Sequence, residues 1–201
     1  GGTTFYSGPG SHTDIYVKPY CELIKKFLAD HQDIKRVTDL GCGDFNVAST
    51  WLKDNQNIFY TGVDIVEPLI KFNQEKFSSD HIQFKCLDIV EDELPDGDLC
   101  LIRQVLQHLS NSDIQKIINN TKKYKYVIVT EHVTAKNKAV RFNTDKFSNC
   151  HIRTGLSSGV YLDEDPFNLN VEILLKIPYS TDKNYLKNGQ ELVSVLIKNL
   201  I

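Results

Sequence analysis

The stretch "DLGCGDFNVAS", residues 39–49, decides the fold of this chain. It starts inside "RVTDL" (36–40), a β-rich run that predicts a strand, and it leads into "NVASTWLKDN" (46–55), whose pattern predicts a helix. Gly41 and Gly43 allow positive φ angles and a close approach of the backbone to a ligand. Because the helix that follows presents unpaired N–H groups, the stretch predicts a ligand-binding turn.

Strand-like and helical runs alternate on both sides of this turn. A leading helix is predicted over 14–29, and further helices over 68–77 and 112–123. Strand-like runs lie at 58–66, 82–89, 98–106 and 124–132, and two more, 171–180 and 190–200, are joined by a polar turn without a helix. The expected class is therefore α/β, with a mostly parallel seven-stranded sheet, helices on both faces and an antiparallel C-terminal strand pair.

Composition limits the class of partner. The chain has 201 residues, 41% of them hydrophobic, which predicts a single domain over 1–201. Its net charge of −3 argues against a nucleic-acid partner. No apolar run approaches the roughly 20 residues of a membrane span, so a soluble cytoplasmic protein without a membrane partner is expected. The five cysteines show no CxxC spacing and are predicted to be reduced core thiols.

Two adenosine ligands compete for the glycine turn. A dinucleotide site needs G-x-G-x-x-G, and the third glycine is missing here. Asp44 would also repel a pyrophosphate. Carboxylates at the turn suit a ligand that carries an ammonium and a sulfonium. No metal is expected, since His108, His132 and His151 lack ligand spacing.

The chain resembles the class I S-adenosylmethionine-dependent methyltransferases at four motifs in the expected order. They are "DLGCGDFNVA", "YTGVDIV", "FKCLDIVEDELP" and "DLCLIRQVLQHLS", and they cover residues 37 to about 130. The resemblance implies a Rossmann-like fold, S-adenosylmethionine as cofactor and S-adenosylhomocysteine as product. "GPGS", "GCGDF", "LQHLS" and "YLDEDPFNL" are further similar to a group of small bacterial methyltransferases of unassigned substrate.

The resemblance also implies cofactor-binding residues. Asp64, 21 residues after Gly43, matches the acid that holds both ribose hydroxyls, and Asp88 matches the acid that meets the adenine amino group. The remaining expected cofactor contacts are Asp39, Gly41, Cys42, Gly43, Ile65, Ile89 and Arg103, of which Arg103 could instead bind the acceptor. Phe45 departs from the family, which often has a third glycine there. Its ring is expected either to wall the methionine end of the cofactor or to pack on the helix.

The residues expected to bind the acceptor match no motif that the family shares. His108 lies just past the fourth strand and is predicted to be a general base or to orient its loop. Glu131 and His132 are expected to follow the fifth strand, point to the ligand edge and offer a proton acceptor. Tyr6 and Ser11 are predicted to bind the acceptor and belong to a segment, 1–30, that is expected either to close over the cofactor as a lid or to fray. Arg153 and Tyr161 are predicted to line an acceptor pocket within the 133–169 loop.

The predicted reaction is methyl transfer to an oxygen, nitrogen or sulfur atom of a small-molecule acceptor. A protein that binds S-adenosylmethionine or S-adenosylhomocysteine without catalysis, as a sensor or partner subunit, is the alternative. An RNA or protein acceptor is a further alternative, which the mild acidity of the chain disfavours.

Overall fold

A computed structural model describes residues 5–179 and 189–199 of the chain. Seven strands form one sheet in the order β3-β2-β1-β4-β5-β7-β6, which confirms the predicted mixed sheet. The chain divides into two compact units, residues 1–101 and 102–201, which are described separately below. The single domain expected over 1–201 stays a prediction.

The first unit contains the parallel part of the sheet. Its strands β1, β2 and β3 are Arg36–Leu40, Phe59–Asp64 and Ile82–Cys86. In the parallel register Leu40 lies opposite Val63, and Asp64 lies opposite Cys86. Because parallel strands end at the same edge, the residues that follow β1, β2 and β3 lie along one edge of the sheet.

Four helices belong to the first unit. They are α1 (Pro9–His12), α2 (Asp14–Asp30), α3 (Asn46–Leu52) and α4 (Glu67–Phe77). In α2 the buried residues recur at helical spacing, as in Tyr20, Ile24 and Phe27, so burial of one apolar face stabilises the helix. Trp51 and Tyr60 are the largest side chains of this core.

The second unit contains the antiparallel part of the sheet. Strand β4 (Leu99–Arg103) leads into it, and α5 (Asn111–Asn120) precedes β5 (Tyr126–Thr134). Short 3-10 turns lie at Leu106–His108, Thr121–Lys123 and Arg153–Leu156. Strand β7 (Gln190–Lys198) pairs antiparallel with both β5 and β6 (Glu172–Tyr179). The predicted C-terminal pair is therefore confirmed, and most of the polar turn between its strands lies outside the described residues.

The cysteines fit the predicted core only in part. All five are free; Cys21 and Cys100 are buried, but Cys86 and Cys150 are exposed. The prediction of core thiols is thus wrong for these two. Cys86 is the last residue of β3, an edge strand, and Cys150 lies in an irregular loop. In the part of the chain described here, no helix is long and apolar enough to cross a membrane.

Candidate cofactor site and candidate catalytic residues

The glycine turn after β1 is tied to the neighbouring strand. Gly41 and Gly43 have φ angles of 82° and 55°, which side chains rarely allow. The N–H groups of Gly41 and Cys42 both donate to the carbonyl of Val63, at 2.8 and 2.9 Å. The sequence folds this way because only glycine turns the backbone so sharply without strain.

The Asp64 carboxylate lies at the end of β2, beside this turn. Its Oδ2 accepts a hydrogen bond from the N–H of Gly43, and its Oδ1 accepts one from the N–H of Val66, each at 3.1 Å. Asp64 is half-buried, while Ile65 beside it is 63% exposed. A carboxylate accepts about four hydrogen bonds, so Asp64 has acceptor capacity left for a ligand.

Cys42 and Asp39 are held within the turn. The Asp39 carboxylate accepts a hydrogen bond from the Tyr60 hydroxyl at 2.8 Å. Burial, together with the carboxylates of Asp39 and Asp64, raises the pKa of Cys42 well above its ordinary value. Cys42 is therefore a neutral thiol rather than a nucleophilic thiolate.

Asp88 and Ile89 follow β3 and are both half-buried. Oδ1 of Asp88 accepts a hydrogen bond from the N–H of Val90 at 2.9 Å, and the N–H of Asp88 donates to Asp92 at 2.8 Å. This local turn fixes the carboxylate of Asp88 at the sheet edge that Asp64 also occupies.

The N-terminal segment docks on the glycine turn. The N–H of Ser7 donates to Oδ2 of Asp44 at 3.0 Å, and the N–H of Asp44 donates to Oγ of Ser7 at 2.8 Å. Nε2 of His12 lies 2.6 Å from the same Oδ2. The carboxylate of Asp44 is thus engaged by the chain itself, and residues 7–12 are packed rather than frayed. Tyr6, 64% exposed, packs against His12 with its ring tilted by 30°, and the carbonyl of Ser11 accepts a hydrogen bond from Asn46.

Phe45 packs into the core of the first unit. It caps α3 with a left-handed backbone at φ 64° and is 4% exposed. Its ring centroid lies 5.1 Å from those of Phe77 and Phe84 and 5.4 Å from that of Tyr60. The ring therefore packs among the aromatic side chains of the core and not on the open side of the turn.

Sequence analysis missed Asn73, a fully buried residue of α4. Its Nδ2 donates to the carbonyl of Gly43 at 2.8 Å, and its Oδ1 has no partner among the described residues. The signal was present, because Asn73 shares the helix face of the buried Leu69 and Ile70. The side chain of Asn73 therefore anchors the glycine turn to helix α4.

Glu131 lies inside β5 and accepts three backbone hydrogen bonds. Its Oε1 binds the N–H groups of Val105 and Leu106 at 3.0 and 2.8 Å, and its Oε2 binds that of Gln107 at 3.1 Å. Burial raises the pKa of Glu131 to about 7, although these three bonds oppose the shift. The carboxylate thus satisfies the N–H groups of the turn that carries His108.

His132 lies on the opposite face of β5 from Glu131, since neighbouring strand residues alternate. Its Nε2 lies 2.9 Å from Oε1 of Gln190, and its ring centroid lies 3.8 Å from that of Tyr179. Burial lowers the pKa of His132 to about 4, so the ring is neutral at pH 7. The expectation that Glu131 and His132 follow the strand and share one edge is wrong, because β5 extends to Thr134 and includes both.

His108 ends the 3-10 turn and is half-buried. Its carbonyl accepts hydrogen bonds from Nζ of Lys146 at 2.8 Å and from the N–H of Asn149 at 2.9 Å. Burial lowers the pKa of His108, although backbone groups of Asn149, Cys150 and His151 oppose the shift, and its Nε2 lies 3.4 Å from Nε2 of Gln107. A neutral imidazole is able to accept a proton.

Arg103 and Arg153 are both buried in the structure. Arg103 is the last residue of β4, and its Nη1 lies 3.5 Å from Oε1 of Gln104. The guanidinium of Arg153 donates to the carbonyls of Thr144 and Leu109. Arg153 therefore joins its own loop to Leu109, just after the turn that carries His108, and its part in an acceptor pocket stays a prediction.

Tyr161 lines a cavity, as a pocket-lining role for it requires. Its hydroxyl donates to the carbonyl of Thr134, and burial raises its pKa to about 12. Across residues 5–179 and 189–199, no group of three or more histidine, cysteine, aspartate or glutamate residues is arranged to hold a metal ion.

Comparisons with known proteins agree on the fold. Residues 38–124 match the family model described as a methyltransferase domain. No curated protein matches the chain in sequence. Among solved structures, the N-methyltransferase NodS from Bradyrhizobium japonicum WM9 superposes with a TM-score of 0.63 at 12% identity, over 95% of this chain and 99% of NodS.

Two further structures show the range of chemistry on this fold. The plantazolicin methyltransferase BpumL, in complex with S-adenosylhomocysteine and a desmethyl substrate analogue, has a TM-score of 0.59 at 13% identity, over 96% of this chain and 88% of BpumL. The [4+2]-cyclase SpnF has a TM-score of 0.63 at 16% identity, over 98% and 87%. The chain therefore shares the fold of these methyltransferases, and its residues 38–124 match the methyltransferase domain model.

Proposed function

We propose that the chain transfers the methyl group of S-adenosylmethionine to an oxygen, nitrogen or sulfur atom of a small-molecule acceptor. The observation that supports this most directly is the hydrogen bond between the N–H of Gly43 and Oδ2 of Asp64. It sets the backbone of a ligand-binding turn beside a half-exposed carboxylate at the edge of a parallel sheet.

The groups at this edge fit the adenosine part of the cofactor. Asp64 retains acceptor capacity for the two ribose hydroxyls after its bonds to Gly43 and Val66. Ile65 offers an exposed apolar surface beside that carboxylate, as a flat adenine ring requires. Asp88 and Ile89 follow the neighbouring strand and would bind the amino group and one face of the ring.

The methionine end of the cofactor is assigned to the turn itself, through Asp39, Gly41, Cys42 and Gly43. The neutral thiol of Cys42 supports this assignment, because a thiolate there would compete with the acceptor for the methyl group. Arg103 is assigned to the methionine carboxylate or to the acceptor, as its place in the fourth motif implies.

When bound, S-adenosylmethionine supplies a methyl group on a sulfonium. The protein residues then orient the acceptor and exclude water. Where the acceptor must lose a proton, one of these residues accepts that proton. Of the three candidate bases, we favour His108, because Glu131 and His132 are buried and their side chains bind other parts of the chain.

Thermal unfolding tests the cofactor assignment. S-adenosylhomocysteine at about 100 times its dissociation constant adds roughly 2.7 kcal/mol to the free energy of unfolding. We expect this shift for the natural chain and for Asp80→Ala, a matched control at an exposed aspartate between α4 and β3, but not for Asp64→Ala. A shift with NAD instead, or an undiminished shift in Asp64→Ala, would contradict the assignment.

Turnover tests the reaction. Release of S-adenosylhomocysteine is measured with a panel of small phenols, amines and thiols, and with His108→Gln beside the natural chain. We expect turnover with at least one class of acceptor and a lower kcat, at unchanged cofactor affinity, in His108→Gln. Methylation of RNA or protein but of no small molecule would instead support the macromolecular alternative.

A second candidate function is cofactor binding without methyl transfer, as a sensor or partner subunit. One observation favours it. The side chains of two of the three candidate bases, Glu131 and His132, form hydrogen bonds with other residues of the chain. S-adenosylhomocysteine binding that depends on Asp64, with no turnover on any acceptor, would select this candidate.

A further inference from the structure

A cavity of about 110 Å³ lies within the second unit, on one face of the strands β5, β7 and β6. The strand register explains its floor. Val129 lies opposite Val195, which lies opposite Ile173, and Glu131 lies opposite Val193. Directly paired residues share a face of the sheet, so these side chains form one continuous and mainly apolar floor.

An irregularity in β6 completes this floor. Ile173 pairs with Val195 and Lys176 with Val193, although Lys176 lies three positions after Ile173, an odd number. In a regular strand they would face opposite sides, but the register shift between Ile173 and Leu175 brings both to the cavity face. Ile173 is 54% exposed there, so the floor is left partly uncovered.

The wall of the cavity is anchored, which keeps the space open. It consists of residues 160–163. Asn143 binds both the N–H and the carbonyl of Tyr161, each at 2.8 Å, and the hydroxyl of Tyr161 binds Thr134. A Cβ on Gly159 would lie 2.6 Å from Val133, so only glycine allows the wall to approach β5 this closely.

The charges around the cavity favour a neutral occupant. Lys136 is paired with Asp163 at 2.6 Å and with Glu164, while Lys176 and Glu191 are diagonal neighbours on β6 and β7. Both signs therefore line the cavity, and the carboxylate of Glu131, which also lines it, is engaged by three backbone N–H groups, so neither sign dominates at the opening.

We propose that this cavity is a binding site for a neutral apolar ligand of about the size of one aromatic ring. Apolar cavities of about 150 Å³ bind benzene, and this one is somewhat smaller and opens at Ile173. The lining is mostly β-branched and apolar, so burial of the ring supplies the affinity. None of the lining residues is assigned to the cofactor, although Glu131 and Tyr161, considered above as a base and as part of an acceptor pocket, do line the cavity.

Fluorine NMR of fluorobenzene tests the site directly. We expect saturable binding to the natural chain and a loss of at least about tenfold in affinity for Val193→Phe, whose ring occupies the space. Ile197→Phe is the matched control, because Ile197 lies on the same face of β7 but outside the cavity, and it should bind as the natural chain does. No saturable binding, or equal loss in both variants, would overturn the proposal.

Charged analogues and methyl mapping sharpen the result. We expect 4-fluorobenzoate and 4-fluorobenzylammonium to bind at least about tenfold more weakly than fluorobenzene; tighter binding of either ion would overturn the choice of a neutral ligand. If Val193→Phe does not fold, methyl shifts in the natural chain decide. Shifts confined to methyl groups that line the cavity, such as those of Val129, Val193 and Val195, support the site, and shifts only outside the lining overturn it.

Discussion

At the end of β2, the Asp64 carboxylate accepts two backbone hydrogen bonds and stays half-exposed, whereas Glu131 in the middle of β5 accepts three and is 3% exposed. Both are acids that a sequence pattern associates with a ligand edge. Asp64 retains acceptor capacity that a ligand can use. Glu131 uses its capacity to satisfy three backbone N–H groups of the chain.

The difference follows from where each strand ends. Strand β2 ends at Asp64, and the next residue, Ile65, is exposed. The carboxylate of Asp64 is therefore partly open to solvent. Strand β5 continues to Thr134 beside β7, so Glu131 is covered and must find partners within the protein. In this chain the position at which the strand ends therefore decides whether the acid is left open to a ligand.

The largest effect expected from this comparison is on stability at Glu131. Glu131→Ala leaves three backbone N–H groups without their acceptor and should lower the free energy of unfolding by about 3–5 kcal/mol. Glu131→Gln keeps an oxygen acceptor and should cost about 1–2 kcal/mol. Urea denaturation measures both.

Glu172→Ala is the matched control for Glu131. Glu172 is an exposed residue of β6 that pairs with Lys198 at the surface, so its removal should change stability by no more than about 0.5 kcal/mol. If Glu131→Ala were as mild as the control, Glu131 would belong with Asp64 as a group reserved for a ligand.

The next largest effect concerns how stability depends on pH, which should change in opposite directions through Glu131 and His132. The pKa of Glu131 rises from 4.5 to about 7 on folding, so its stabilising contribution is complete below pH 4.5 and is lost as the pH rises to 7. The pKa of His132 falls from 6.5 to about 4, so its contribution is complete above pH 6.5 and is lost as the pH falls to 4.

These two contributions are separated by single variants. From pH 4.5 to 7 the natural chain should lose about 3 kcal/mol of stability relative to Glu131→Gln, so the variant, less stable by about 1–2 kcal/mol at pH 4.5, becomes the more stable of the two at pH 7. From pH 6.5 to 4 the natural chain should lose about 3 kcal/mol of stability relative to His132→Asn. Differences that do not vary with pH would mean that burial does not control either group.

A smaller effect, about 1 kcal/mol, concerns Phe45 in the turn region. Phe45→Ala and Phe45→Gly both lose the ring that packs on Tyr60, Phe77 and Phe84. Because the backbone is left-handed there, the glycine variant should be the more stable of the two by about 1 kcal/mol. Thermal denaturation compares them. Greater stability of the alanine variant would show that the backbone relaxes once the ring is removed.

The smallest effect expected is at the docked N-terminal segment. His12→Ala removes a partly exposed partner of Asp44 and should cost about 0.5 kcal/mol, with faster amide exchange at Ser7. Lys18→Ala, which breaks an exposed pair with Asp14, is the control and should leave Ser7 unchanged. Unchanged exchange in His12→Ala would show that the two bonds between Ser7 and Asp44 suffice.

Much of the fold was predictable from the sequence because its signals are local. The run 36–40 matched β1 in full, and the predicted helix over 14–29 matched α2 to within one residue. Periodicity and turn glycines act over a few neighbouring residues, so no tertiary information was needed. The candidate cofactor residues remain predictions, and the structure brings Gly43 and Asp64 together as their motif implies.

The sequence by itself determined the order of strands and helices and the tight turn at Gly41 and Gly43, because backbone geometry and side-chain alternation depend on adjacent residues. Tertiary structure alone decided what Glu131, Arg153 and Asn73 do. Their partners lie 24 to 26, 9 to 44 and 30 residues away along the chain. Burial created the need for those hydrogen bonds, and burial exists only once the strands have paired.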